Sequence, residues 1–365
     1  MIYLDNASTT PICDVAKQAI IKHLCDFGNP SSTHAIGSVT KKLIENARER
    51  IAKCINAEPN EIYFTSGGSE ANSWALSGRT RLASWIEHHS VKTNYGFCVN
   101  KDGIVDPEYI EDVIDCYLGK NTYYIPEMIS CMAVNNEIGT IQPIKQLTNI
   151  AHDNGLLFHT DAVQAIGHIA VNVKDIGCDM LSASGHKFGA PKGIGFLYVK
   201  NGVEIYPLIH GGKQERGVRG GTENVLGIIA MAEALEDSVV HMEERNVHIK
   251  WLRDHLLSAL LSVDGVYLNG SLKDRVESNI NIRINGVLGQ DVVAMANDYG
   301  ICISAGSACN EGLATPSHVL SEIYLSDEEA LSSIRITIGH QNTFEEIEYV
   351  CDMLPKIIKT LRNIS

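Results

Sequence analysis

The strongest constraint on this chain is a run from Glu61 to Val199 in which short apolar stretches alternate with segments of helical period. Alternation of that kind is the pattern of a sheet covered by helices, so the fold class is α/β. Glu61–Thr65, Leu156–Thr160, Met180–Ala183 and Gly195–Val199 read as strands. Ile144, Leu147, Ile150 and Ala151 share one helix face, and Gly155 stands where a C-terminal cap belongs. A long helical region from about Asn224 to Ser262 follows, apolar early and charged later. Beyond it the pattern changes to shorter strands, Asn279–Ile284 and Ile301–Ser304, mixed with helices. Ser326–Glu329 and Thr343–Glu346 fit the capping box, so helices are expected to start at both. A second, smaller domain is therefore expected after a boundary near residue 260.

Composition narrows the function classes. Of 365 residues, 44% are hydrophobic and 20% charged, enough to bury a large core. The net charge of −14 argues against wrapping a nucleic-acid backbone, which needs clustered Lys and Arg. No apolar run approaches the roughly 20 residues that span a bilayer, and the first residues lack the basic and apolar regions of a signal peptide. A soluble cytoplasmic protein is expected. The 10 cysteines form no Cys-x-x-Cys pair and no His-Glu-x-x-His occurs, so no metal site is expected.

Three strand ends carry the chemistry, because open α/β sheets bind ligands beyond the carboxyl ends of their strands. Thr65-Ser66-Gly67-Gly68-Ser69-Glu70 could aim helix N–H groups at an anion, or be a plain tight turn. Asp161 at the end of a strand could be a functional carboxylate or a helix cap. Lys187, in Ser184-Gly185-His186-Lys187, could be a solvated surface charge. It follows an apolar strand and precedes a glycine-rich segment, however, and a buried lysine is suited to a Schiff base. A Schiff-base lysine with an acidic partner for a pyridinium nitrogen is what pyridoxal phosphate requires, and the glycine-serine turn then has a ligand in its phosphate.

These segments, with Tyr3–Thr10, Gly28–His34, Glu87-His88-His89, Val134–Gly139, His159–Gln164, Arg219–Asn224, Ser304–Cys309 and Ser333-Ile334-Arg335, make the chain resemble the cysteine desulfurases. Those enzymes lie within the class V group of fold-type I pyridoxal-phosphate enzymes. The resemblance implies a large cofactor-binding domain, 15–255, with a mostly parallel central sheet flanked by helices. A smaller α+β domain, 1–14 and 256–365, would carry the catalytic-cysteine loop. It further implies that Lys187 holds the cofactor and removes the substrate's Cα proton, that Asp161 pairs with the pyridinium nitrogen, and that Gln164 bonds the phenolic oxygen. His88 would stack on the ring and assist proton transfers. Gly68, Ser69, Ser184 and His186 would hold the phosphate, with Thr222 reaching it from a partner subunit. Asn136, beside the cofactor, and Arg335 would bind the substrate carboxylate. Cys309 would attack the substrate's sulfur, giving a persulfide and releasing alanine.

A homodimeric L-cysteine desulfurase serving an iron–sulfur scaffold or a sulfur carrier is thus the expectation. The alternatives are a selenocysteine lyase or another class V lyase, a weakly active docking subunit, and, last, a metal-binding redox protein. Four departures from the family pattern stand out. Only His89–Asn100 separates His88 from Lys101-Asp102-Gly103-Ile104, so about one helix is missing or reduced to a turn. Pro126 falls in an expected core strand. His340 stands where many relatives have a second arginine, and Gly68-Ser69 replaces a pair ending in threonine.

Overall fold

The computed structural model describes residues 1–119, 124–306 and 315–364. Its centre is a seven-stranded sheet in the order Ile62–Thr65, Gly195–Val199, Met180–Ser184, Leu157–Asp161, Met128–Ser130, Arg81–Ser84, Gly96–Phe97. Every pairing is parallel except those of Gly195–Val199, which runs against both neighbours. The mostly parallel sheet expected from sequence is therefore present. Its strands read as apolar runs because both faces are covered. Side chains alternate between faces with period two. Met180 and Leu197 pack with Trp74 of helix Gly68–Ala75, whereas Leu181 and Phe196 join Leu147, Ala151 and Leu235 on the other side.

The parallel strands end at Ser84, Ser130, Asp161 and Ser184 along one edge. Thr65 reaches the same edge, since it faces Gly195, which in turn faces Ser184. That shared edge gathers the turns on which chemistry depends. The helix Ile144–Asp153 closes as its sequence predicts. Gly155 takes φ 71°, its N–H donates to His152, and that of Leu156 donates to Ala151. The long helical region breaks at His241 into Val225–Val240 and Met242–Leu261.

A second core gathers Leu4, Leu252, Leu256, Ile282, Ile334 and Leu354. It lies around an antiparallel sheet in the order Ser333–Thr337, Asn279–Ile284, Val266–Leu268. Ile2–Tyr3 pairs in parallel with Ile301–Cys302, fastening the start of the chain beside this sheet. The capping boxes at Ser326 and Thr343 both form.

The short segment after His88 contains turns only before the two-residue strand Gly96–Phe97. Gly96 is required there, because a Cβ would stand 2.0 Å from the carbonyl oxygen of Ala83. Pro126 precedes the strand Met128–Ser130 rather than interrupting it, and Tyr124–Glu127 is irregular. Tyr124 compensates: its hydroxyl bonds both the N–H and the carbonyl of Arg81 at 2.7 Å, and its ring stacks on Tyr95 at 3.7 Å.

Two buried carboxylates hold this framework. Glu215, 5% exposed, accepts both terminal nitrogens of Arg48 and the N–H of Phe64, each at 2.9 Å. It stands in a left-handed run, Glu215 (φ 42°), Arg216 (φ 58°) and Gly217 (φ 85°), which the ion pair holds in place. Glu87 is buried below the sheet edge, where one oxygen accepts from Ser84 at 2.5 Å and from the Met132 N–H at 2.7 Å. Burial, helped by the charge of Asp161, pushes its pKa up to about 8, against the downward pull of those two hydrogen bonds.

Replacing Glu215 by Gln leaves the buried Arg48 charge with only the half-exposed Glu45, 3.3 Å from its Nε, and is expected to cost about 3 kcal/mol in urea unfolding. For Glu87 the folded pKa lies above the unfolded value. Its contribution is complete below about pH 4.5 and is lost as pH rises through about 8. The stability of Glu87→Gln relative to the unsubstituted protein should therefore increase between pH 5 and pH 8.5. Unfolding midpoints across that range measure it, and a flat difference would show that Glu87 titrates normally.

Candidate active site

A cavity of about 320 Å³ opens at the carboxyl edge of the main sheet. It is lined by Gly68, Ser69, His88, Asn136, Asp161, Gln164, Ser184, His186, Lys187 and Arg335. Thr222 is exposed in the turn before Val225–Val240 and does not line it. Cys309 lies outside the described residues. Before it Ser304 pairs with Arg335 of the wall, and after it His318 stands in the wall itself.

Each wall follows from local chemistry. Gly67, at φ 155°, turns the chain from strand into helix, a conformation open only to glycine. At Gly68 a Cβ would lie 2.6 Å from Val163 Cγ2, which accounts for glycine at this position. By helix geometry the amides of Gly68 and Ser69 have no acceptor within the helix. Glu70 is not in competition with a bound anion there. It accepts the Ser66 N–H at 2.7 Å and takes the fork of Arg219 at 2.9 and 3.2 Å. Burial, then Lys187 and Lys192, lower His186 to about 4, so its ring is neutral near pH 7.

Asp161 is buried at its strand end, where it accepts the Val163 N–H at 2.9 Å and the Asn72 amide at 2.6 Å. Burial raises its pKa; those hydrogen bonds and the charges of His88 and Lys187 oppose the rise. A buried carboxylate of this kind is matched by a cationic N–H. Lys187 Nζ donates to the carbonyls of Ala7 at 2.6 Å and Ser8 at 2.8 Å, and the Gln164 amide donates to Ala7 at 2.9 Å. His88 Nδ1 accepts the Ser90 N–H at 3.2 Å and lies 2.8 Å from Ser90 Oγ, so the ring is held despite the short segment.

Arg335 donates to Asp5 and Ser8 at 2.8 Å and to the Asn136 carbonyl at 2.9 Å. Its Nε, together with Asn72 Oδ1 and Asn136 Oδ1, is buried without a hydrogen-bond partner among the described residues. Buried polar atoms left unpaired around one cavity mark a place for a polar ligand. His340 lies elsewhere, lining a second cavity of about 400 Å³ that shares Asn136, Gln164 and Lys187 with the first.

Sequence reasoning missed Asn72, Glu137 and His318 in the wall. Asn72 follows Ser69 by three positions and so shares its helix face, a usable signal. Glu137 is buried and accepts Ser317 Oγ at 2.5 Å, and His318 donates to the Glu87 carbonyl at 3.0 Å. Neither shows a pattern in sequence.

Comparison with known proteins agrees with this geometry. Residues 2–350 match the family model for aminotransferase class-V. The chain is 41% identical to cysteine desulfurase IscS of Methanosarcina thermophila, over all of this chain and 93% of that one. It is 42% identical to cysteine desulfurase IscS of Dictyoglomus turgidum, over all of this chain and 96% of that one. The first alignment extends over 387 positions, more than the 365 residues here, so that relative carries segments this chain lacks. Among solved structures, a NifS-like protein from Rickettsia africae superposes with TM-score 0.90 at 32% identity, covering 98% of this chain and 99% of that one. A structure titled SspA in complex with cysteine gives TM-score 0.79 at 31% identity, over 94% and 100% of the chains. With its sheet edge, cavity and full-length similarity in agreement, the chain belongs to the class V aminotransferase family, whose cysteine desulfurase members are pyridoxal-phosphate enzymes.

Proposed function

We propose that this protein is an L-cysteine desulfurase that binds pyridoxal 5′-phosphate and transfers sulfur, through a persulfide on Cys309, to acceptors for iron–sulfur cluster assembly or thiolation. The observation that carries the reading is the meeting of Lys187 and buried Asp161 in one cavity with unpaired Asn136 and Arg335 atoms. Its full-length relatives named cysteine desulfurase support the same substrate.

The residues fit the cofactor. Asp161 would face the pyridine nitrogen, Gln164 the phenolic oxygen, and Ser69, Ser184 and His186 the phosphate, with the Gly68–Ala75 helix start behind them. When bound, the cofactor supplies an electron sink for the bonds at the substrate's Cα. Asp161, with its carboxylate set by Asn72 and Val163, would keep the ring nitrogen protonated. Lys187, released from the Ala7 and Ser8 carbonyls, would take the Cα proton. His88 would serve proton transfer at the opposite wall. Arg335 and Asn136 would hold the substrate carboxylate, which must share Arg335 with Asp5.

The sulfur balance is simple. The Cys309 thiolate bonds to the substrate's sulfur, the substrate's Cβ–S bond breaks, and Cβ takes a proton. L-cysteine and the Cys309 thiol thereby become L-alanine and a Cys309 persulfide. A homodimer would bring Thr222 of one subunit to the phosphate of the other. The division into 15–255 and 1–14 with 256–365 is supported by the second core, which unites Leu4 with residues from Leu256 to Ile358. Ile249 and Leu252 also join that core, so the seam runs within the helix Met242–Leu261. The reading as a weakly active docking subunit rests on lost packing beside His88, where the contacts with Ser90 favour a held ring.

Incubation with pyridoxal phosphate and L-cysteine should give a visible cofactor band, alanine, and a sulfur adduct on the Cys309 peptide by mass spectrometry. Lys187→Ala is expected to lower turnover by roughly 10²–10⁴-fold, the usual worth of a positioned acid–base group. Cys309→Ser should abolish the adduct and alanine release together. Near-normal cysteine turnover by that variant would point to a lyase working without a protein persulfide. Absence of the cofactor band would remove the enzyme reading altogether.

A further inference from the structure

We propose that Ser90 is a positioning residue that fixes His88 as its Nε2–H tautomer, and that Asp161 sets the direction of the hydrogen bonds that do so. The inference rests on the desulfurase reading for its consequence, but its geometry is independent of that reading.

The backbone N–H of Ser90 can only donate, and it lies 3.2 Å from His88 Nδ1. Nδ1 must therefore present a lone pair, and the proton of the neutral ring sits on Nε2. The Ser90 hydroxyl, 2.8 Å from the same nitrogen, donates there as well. It is able to do so because its oxygen accepts the Asn72 amide at 2.9 Å. Asn72 is itself oriented by Asp161. The same amide nitrogen donates to the carboxylate at 2.6 Å, and a flipped amide would place oxygen against carboxylate oxygen.

Donation thus runs outward from the Asn72 amide, to Asp161 on one side and through the Ser90 hydroxyl to the ring on the other, and it leaves Nε2 as the ring nitrogen available to a ligand. His88 forms part of the cavity wall, so that ligand receives a hydrogen-bond donor rather than a lone pair. Protonating Nδ1 would set an N–H against the Ser90 N–H and reverse the hydroxyl. Burial lowers the pKa of His88 in the same sense, as do His89 and Lys187; Asp161 and Glu137 oppose.

The test is histidine-selective ¹⁵N labelling of the full chain, with long-range ¹H–¹⁵N correlation against pH, first without added pyridoxal phosphate and then with it. His88 is assigned by the signal that disappears in His88→Gln. The expected result is a neutral His88 with unprotonated Nδ1 and protonated Nε2. Ser90→Ala, which keeps the backbone N–H, should raise the His88 pKa by about half a unit or more while Nδ1 stays unprotonated in the neutral ring, and Ser90→Thr should restore the pKa. In turnover assays Ser90→Ala should lower kcat and move the acidic limb of its pH profile by the same shift, with KM little changed. A protonated Nδ1 in the unsubstituted protein, or a spectrum of Ser90→Ala identical to it, overturns the proposal. Failure to bind the cofactor would instead remove the desulfurase reading and leave the tautomer result standing.

Discussion

One carboxylate buried at the end of a parallel strand organises the site. Asp161 loses solvent and is compensated by a backbone N–H, an amide and two neighbouring cationic or ionisable groups. Everything around it follows from the need to keep that charge paired. Asn72 must turn its amide nitrogen inward, which requires the helix Gly68–Ala75 to lie close, which in turn requires glycine at 67 and 68. The helix start at Gly68 and the carboxylate of Asp161 are thus two ends of one packed unit.

The first ten residues join this unit to the second core. Ile2–Tyr3 extends beside Ile301–Cys302, Asp5 and Ser8 hold Arg335, and Ala7 accepts from both Lys187 and Gln164. The Ala7 N–H also donates to Thr337 at 2.9 Å. Groups from the main sheet edge and from the strand Ser333–Thr337 therefore meet through a single segment that turns at Asn6–Ser8. A shift of that segment would alter Lys187 and Arg335 together.

Much of this was readable before any coordinates. Gly195–Val199 and Asn279–Ile284 are strands at the residues expected, because the first is a short apolar run and the second alternates polar with isoleucine at the period of a strand. The first main strand begins at Ile62, since Glu61 is drawn into a 3₁₀ turn that its side chain closes on the Glu58 N–H. Asp161 and Lys187 were visible through their places beyond strand ends. The pairing of Asn72 with Asp161 was hidden because the two lie far apart in sequence, and Ser90, although two residues from His88, belongs to no motif that marks it. The contributions of Ala7 and Ser8 to Lys187 come from carbonyl oxygens, which every residue possesses and no motif records. For Cys309 the sequence remains the whole basis, as that segment lies outside the described residues.

The reliance on main-chain oxygen has a consequence for how this site tolerates change. Lys187 and Gln164 are gripped by the path of the chain at Ala7 and Ser8, not by what those residues are. Side-chain replacement at position 7 leaves the acceptors in place, whereas a single inserted or deleted residue between Tyr3 and Thr10 moves all of them at once. The spacing between the strand Ile2–Tyr3 and the acceptor carbonyls of Ala7 and Ser8 is what the site depends on, more than the side chains that fill it.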